Sequence, residues 1–330
     1  MSSGYQAFEG VSWRPLQAAD LHGVFEIEAA SEAFDDGAVE VSESDLQGDW
    51  DRPDFDPERM SLGGLVDGRL VAYVQVFQGR AEGAVHPDYR GRGLGEHLAR
   101  WTWEVARSEG RERVGQTISD NERSAATLFG SLGYERGHTA WILRRDISAP
   151  LPAPVLPAGY RFREYVPGAD DRSVYDLIDR AFSEWRNADS EPMGFENWLS
   201  CTLRDVRADF VVLLEYEPPA VGGAAGGAAQ RAPASGASVP APGAHLVGTL
   251  VGHDYDEEDE GWIEQVAVQR DHRGKGLGGA LLAESFRRFR EAGRGVGGVS
   301  TDSRTGALGL YEHAGMKVVR SYTRWVKTGL

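Results

Sequence analysis

The chain has 330 residues, a formal net charge of −16, 41% hydrophobic and 26% charged residues. That length favours two domains, and the composition supports ordinary buried cores rather than a disordered or fibrous chain. The negative charge argues against nucleic acid and anionic membranes as partners, and no basic patch offsets it.

The start, "MSSGYQAFEGVSW", has no basic region followed by an apolar run, so no signal peptide is expected. No apolar run approaches the roughly 18 residues of a membrane span. A single cysteine, Cys201, excludes an internal disulfide framework and a Cys-rich zinc site. The expectation is a cytoplasmic protein without metal, with Cys201 packed as a small hydrophobe in a helix-like stretch.

An amphipathic pattern predicts a helix at "LHGVFEIEAA", near residue 21. Strands follow at "LGGLVDG" and "RLVAYVQVF". A further strand leads into the glycine-rich stretch "YRGRGLGEHL", residues 89–98. A helix leaves it with Leu94, Leu98, Trp101 and Val105 on one face. The strand "VGQTIS", a short helix and a final strand close the first half. The prolines of "DISAPLPAPVLPAG" block helix and central strand. They set the expected domains at 1–147 and 159–330, joined by a linker at 148–158.

The second half repeats the order. Its first helix, "SVYDLIDRAF", carries Val174, Leu177, Ile178 and Phe182 at helical spacing. The strands "DFVVLLEY" and "HLVGTLVG" flank a Gly/Ala/Pro run at 217–244, read as a flexible insert in a hairpin loop. A second glycine loop, "HRGKGLGGAL" (272–281), opens a helix with Leu277, Leu281, Phe286 and Phe289 inward. The expected fold class is α/β (α+β), with two tandem domains of similar build. Each has a mixed, mostly antiparallel sheet flanked by helices.

The two loops lie 183 positions apart, Arg90 against Arg273, and "AATLFGSLGY" (125–134) matches "ALGLYEHAGM" (307–316). Strand, glycine turn and helix together make a phosphate site. Glycines admit a ligand close to the backbone, and free amides and the helix dipole face it. A Walker loop fails because Gly276 follows Lys275. A dinucleotide fingerprint fits Gly274, Gly276 and Gly279 but breaks in the first copy at Glu96.

R-x-x-G-x-G after a strand, with L-Y-x-x-x-G (Leu310, Tyr311, Gly315) about forty residues on, resembles the GNAT acetyltransferase family, twice in one chain. The resemblance implies a transferase using acetyl-CoA, with the pyrophosphate on the loop amides and the pantetheine arm along the preceding strand. In the second domain the implied donor residues are Val266, Ala267, Val268, Arg273, Gly274, Lys275, Gly276, Leu277, Gly278, Gly279 and Ser303. In the first they are Ala84, Val85, Arg90, Gly91, Arg92, Gly93, Leu94, Gly95 and Asn121. It implies Glu264 as base for the amine and Tyr311 as acid for the departing thiolate. The first domain has Phe129 for Tyr311. Ala81 stands against Glu264, with Glu82 one residue away on the opposite face unless a bulge intervenes. The first domain is therefore expected to be degenerate and the second catalytic.

The tandem arrangement is also similar to mycothiol synthase, by architecture only, which keeps acetylation of a cysteinyl amine open. The wider expectation is direct attack by the primary amine of a small molecule in a ternary complex. A non-catalytic acyl-CoA sensor is the alternative, and NAD binding would instead mark an oxidoreductase. The acidic turn "HDYDEEDEGW" (253–262) fits a cationic acceptor or a solvated turn. Trp185 fits an acceptor cleft or core packing. A monomer or a homodimer is expected.

Overall fold

In a computed structural model, residues 10–51, 55–185, 193–204, 206–218, 230–231, 243–255 and 259–330 are described. The first half runs β1 (Ser12–Arg14), α1 (Leu21–Asp35), α2 (Glu43–Trp50), α3 (Pro57–Met60), β2 (Ser61–Val66), β3 (Arg69–Phe77), β4 (Arg80–Val85), α4 (Leu94–Ser108), β5 (Arg113–Ser119), α5 (Arg123–Ser131) and β6 (Glu135–Asp146). The second runs β7 (Val155–Leu156), β8 (Tyr160–Glu164), α6 (Asp171–Phe182), α7 (Phe195–Trp198), β9 (Val211–Tyr216), β10 (Gln230–Arg231), β11 (His245–Tyr255), β12 (Glu260–Val268), α8 (Leu277–Glu291), β13 (Val296–Asp302), α9 (Leu308–His313) and β14 (Lys317–Thr328).

The chain divides into two units, Met1–Thr139 with Ser321–Leu330, and Ala140–Arg320. In the first, β1–β2–β3–β4 form an antiparallel meander. The Asp67-Gly68 turn joining β2 to β3 has positive φ at both residues (49° and 81°), which matches the right-handed strand twist. Tyr322–Thr328 of β14 lie antiparallel on Arg113–Ser119 of β5. Strand β3 is buried on both faces, which explains its nearly unbroken apolar run. Val71, Val74 and Val76 pack with Leu94, Leu98, Trp101 and Val105 of α4, and Leu70 and Tyr73 pack with Val24 and Ile27 of α1.

The second unit is built alike. Strands β8, β9, β11 and β12 are antiparallel neighbours, and Ala140–Asp146 of β6 pair antiparallel with β13. Leu277, Leu281, Phe286 and Phe289 of α8 are fully buried with Leu250, Ile263 and Val299; each such side chain contributes about 1.5–3 kcal/mol. On the other face, Val174, Leu177 and Ile178 of α6 pack with Val211, Leu213 and Val251. Gly261 makes room for α8, because a Cβ there would stand 2.2 Å from Phe289 Cγ.

The proline segment lies within the second unit, with Leu151 and Leu156 against its core, and β7 pairs with β10. Most of 217–244 lies outside the described residues, as does the side chain of Trp185. Cys201 is exposed, which corrects the expectation of a packed thiol. It sits in a widened helical turn, Leu199–Leu203, that buries Thr202 and Leu203 and leaves Cys201 outward. Among the described residues no helix is long and apolar enough to cross a membrane, and no cluster could hold a metal ion.

Candidate active site

Strand β12 follows β11 over its whole length but pairs in parallel with β13 only from Glu260 to Ile263. Beyond Ile263 the ladder ends, and a cavity of about 770 Å³ opens between the separating strands. Ile263 to Val268 line one side and Val299 to Asp302 the other, with Ala181 and Phe182 of α6 also on its wall. A strand edge with unpaired amides and carbonyls beside an open slot can bind the amides of an extended ligand arm.

The glycine loop closes one end. Gly274 and Gly276 have φ of 74° and 77°, a conformation that glycine adopts without strain. A Cβ on either would meet nothing within 4 Å, so both face open space. Gly276 caps α8, whose first amides have no helical partner. Leu277, Gly278 and Gly279 line the cavity there. The helix dipole adds positive potential at the same point. Gly278 has a second use: a Cβ at this position would lie 3.2 Å from Leu310 Cδ2, so its absence lets α9 approach α8. Arg273 Nε donates to Val268 O (2.9 Å), fastening the loop to the strand end, and its guanidinium pairs with Glu184 (2.7 Å). Lys275 is outside the cavity lining. Ser303 is also absent from that lining, although its neighbours Asp302 and Thr305 are present.

Tyr311, on α9, is 5% exposed and lines the same cavity. Its hydroxyl has no hydrogen-bond partner among the described residues, and burial pushes its pKa up to about 12. It therefore keeps its proton through the neutral range. Glu264 lines the same cavity and is exposed. The register of β11 against β12 steps from Val251↔Gln265 to Gly252↔Ile263, so Glu264 is the extra residue of a β-bulge. Gln265, next to it, is held by Trp198 Nε1 at 2.9 Å.

The first unit has the same frame with different contents. Strand β4 pairs in parallel with β5 only at Arg80 and Ala81, and the cavity beyond is about 290 Å³. Ala84, Val85, Arg90, Gly91, Gly93, Leu94 and Gly95 line it. Arg90 Nε donates to Val85 O (3.1 Å), as Arg273 does in the second unit. Gly91 and Gly93 have φ of 73° and 84°. Arg92 turns away to Asp88 O, and Asn121 Nδ2 donates to Asp36 (2.7 Å). Phe129 is buried in the wall, 4.7 Å from the Tyr134 ring.

The register of β3 on β4 runs from Ala72↔Val85 to Phe77↔Arg80 without a bulge. Matched by pairing, Glu82 corresponds to Gln265 and Ala81 to Ile263. Neither corresponds to Glu264, which has no counterpart in β4, so the extra residue belongs to the second unit. Glu82 is in any case committed to Arg80 (3.0 Å) and Gln75. The Arg90 guanidinium meets Asp35 (2.8 Å) and Glu122 (3.8 Å). Burial, reinforced by Asp35 and Glu28, lifts the Glu122 carboxyl to about 7. The matching position in the second unit is Arg304, paired with Asp302 at 2.5 Å. That charge reversal is visible in the sequence once the halves are superposed, whereas the bulge needs the partner strand.

Strands that part beside a glycine-capped helix, twice in one chain, define an α/β protein with two clefts, each suited to an extended ligand arm and a phosphate group. The model of the acetyltransferase (GNAT) family matches residues 22–134 and 172–316, and the chain belongs to this family. It is an acetyl-CoA-dependent N-acetyltransferase. Among curated relatives, a mycothiol acetyltransferase of Salinispora arenicola is 30% identical over 73% of this chain and 69% of its own length. One from Thermobispora bispora is 32% identical over 73% and 71%. Among solved structures, a GCN5-related N-acetyltransferase from Sphaerobacter thermophilus has a TM-score of 0.75 at 28% identity, covering 97% of this chain and 96% of its own. A tandem GNAT protein from the clavulanic acid biosynthesis pathway has a TM-score of 0.63 at 16% identity, over 97% and 99%, and shares the fold.

Proposed function

We propose that the second unit carries the catalytic centre and acetylates the primary amine of a small molecule by direct attack. The observation that carries this reading is the pairing of Tyr311 with Glu264 in one cavity, and the loss of both from the first unit. Acetyl-CoA lies with its pyrophosphate on the amides of Gly274 to Gly279 and its pantetheine arm along Val266 to Val268. The acceptor amine is bound at the same time. Glu264 accepts its proton, directly or through water, as the nitrogen attacks the thioester carbonyl. The oxyanion that forms is met by the backbone donors of β12 beyond the end of its ladder. As the C–S bond breaks, the Tyr311 O–H faces the departing sulfur and supplies a proton to it.

The first unit keeps its loop but lacks these two groups, and serves as a scaffold or a second donor site. The named relatives favour a cysteinyl amine of the mycothiol type as one acceptor class. The reading takes the protein to be cytoplasmic, as monomer or homodimer. The test is CoA release across aminoglycosides, polyamines, amino acids, peptide N-termini and cysteinyl glycosides. Turnover with one amine class, abolished in Glu264→Gln, supports the enzyme. CoA binding with no turnover on any class favours the sensor.

A further inference from the structure

Beside the second glycine loop, at residues that do not line the cavity, four rings from three strands and the loop meet. Tyr160 of β8 is 9% exposed and lies 4.8 Å from Tyr216 of β9 between ring centroids. His272, just before Arg273, stands 5.7 Å from Tyr160 and 5.1 Å from Tyr216. His245 of β11 completes the group, 5.8 Å from His272. The Tyr160 hydroxyl is 2.8 Å from His272 Nδ1 and accepts from Lys275 Nζ at 3.1 Å. Lys275 also donates to Asp271 O at 3.2 Å.

Among the described residues Lys275 has no carboxylate partner, whereas Arg273 is compensated by Glu184. Lys275 is thus the loop cation whose charge is left for an anionic ligand, and it sits between Gly274 and Gly276. The first unit shares only part of this. Arg92 bonds Asp88 O at the same spacing and lies over the ring of Tyr89, which replaces His272.

We propose that Tyr160 is a positioning residue for the donor: its hydroxyl holds His272 and Lys275 so that the loop keeps its shape and its free charge for the phosphates of CoA. The donor and acceptor roles close: the ammonium gives a hydrogen bond to the phenol oxygen, and the phenol gives its own to an unprotonated Nδ1. Fixing a long lysine before the ligand arrives removes part of the ordering cost of binding. The inference rests on the second unit being a donor-binding unit.

The experiment is calorimetric titration of the full-length protein with CoA. Gly276→Glu identifies the binding component that belongs to the second loop. Tyr160→Phe keeps the ring stack and removes only the hydroxyl. It is expected to weaken that component about fivefold, the scale of one lost hydrogen bond, with an unchanged melting temperature. Lys275→Met, at an exposed position, is expected to weaken it comparably, and Lys275→Arg to restore most of the affinity. The Tyr160→Phe/Lys275→Met double variant should lose less than the two single losses combined. An unaltered second-loop component in Tyr160→Phe, or full additivity with Lys275→Met, overturns the proposal and leaves Tyr160 as packing. No change in CoA binding in Gly276→Glu overturns the donor-site reading itself, and the proposal with it.

Discussion

A phenol whose hydroxyl opens only onto a cavity is a costlier choice than phenylalanine, which would fill the same space with no polar group to desolvate. The first unit makes that cheaper choice at Phe129; the second keeps Tyr311. The cost is understandable if the hydroxyl meets sulfur only when the donor is bound. Tyr311→Phe should therefore leave the melting temperature equal or slightly higher and CoA affinity unchanged, while kcat falls by about 10²-fold or more, the usual scale for a positioned acid. Stopped-flow or steady-state CoA release measures it, and a kcat within about twofold of the parent would remove Tyr311 from the chemistry.

Charge at the residue scale makes a second prediction. The Glu122 carboxyl, lifted to about 7 by burial and then by Asp35 and Glu28, binds its proton more tightly folded than unfolded. Its ordinary value is 4.5, so folding is favoured most below that pH. The advantage is lost as pH rises through about 7 and is then flat. Glu122→Gln should accordingly match the parent near pH 4.5 and exceed it at pH 8, by on the order of 1–3 kcal/mol. Denaturant midpoints at the two pH values measure this; a difference that grows toward acid pH would contradict the assignment.

At the scale of elements, the strands that lead into the two glycine loops differ by one inserted residue. Pairing of β11 with β12 steps across Glu264, and pairing of β3 with β4 does not step at all. The flanking residues keep their faces in both cases, with Ile263 and Ala81 buried. Deleting Glu264 should therefore give a folded protein with the register of the first unit, able to bind CoA but slowed as much as Glu264→Gln. Circular dichroism and CoA titration check the first part, and CoA release the second; a chain that fails to fold would show that the bulge is needed for the sheet.

Loop and helix are legible in the sequence, because glycine at φ near +75° and the faces Leu94–Leu98–Trp101–Val105 and Leu277–Leu281–Phe286–Phe289 are local patterns. The bulge is not, because register is a property of two strands. Cys201 departs from its expected burial for a related reason: a widened helical turn shifts the face that periodicity assigns. Adjacency alone assigns Lys275 to phosphate, and only Tyr160, 115 positions away, shows where its ammonium rests.

At the scale of the molecule, the unit with the candidate site begins before the proline segment, at Ala140. Residues Ala140–Asp146 supply the strand beside β13, and Arg144 supplies two hydrogen bonds, at 2.9 and 3.2 Å, to Glu260 at the start of β12. Glu260 is 3% exposed, so its carboxylate has little water to fall back on. Removing one partner of such a pair leaves a buried charge and costs about 3–5 kcal/mol. Arg144→Ala should therefore destabilise the unit on that scale, whereas Arg144→Ala/Glu260→Gln should recover part of the loss because no charge is stranded. A fragment of residues 159–330 lacks both the strand and the arginine. It should aggregate or stay unfolded, with an unpaired β13 edge as the point of failure. The full-length Arg144→Ala protein should still fold and bind CoA at low temperature. Denaturant unfolding of the point variants and size-exclusion chromatography of the fragment separate loss of the pair from loss of the strand. A soluble, CoA-binding 159–330 would show that neither is required.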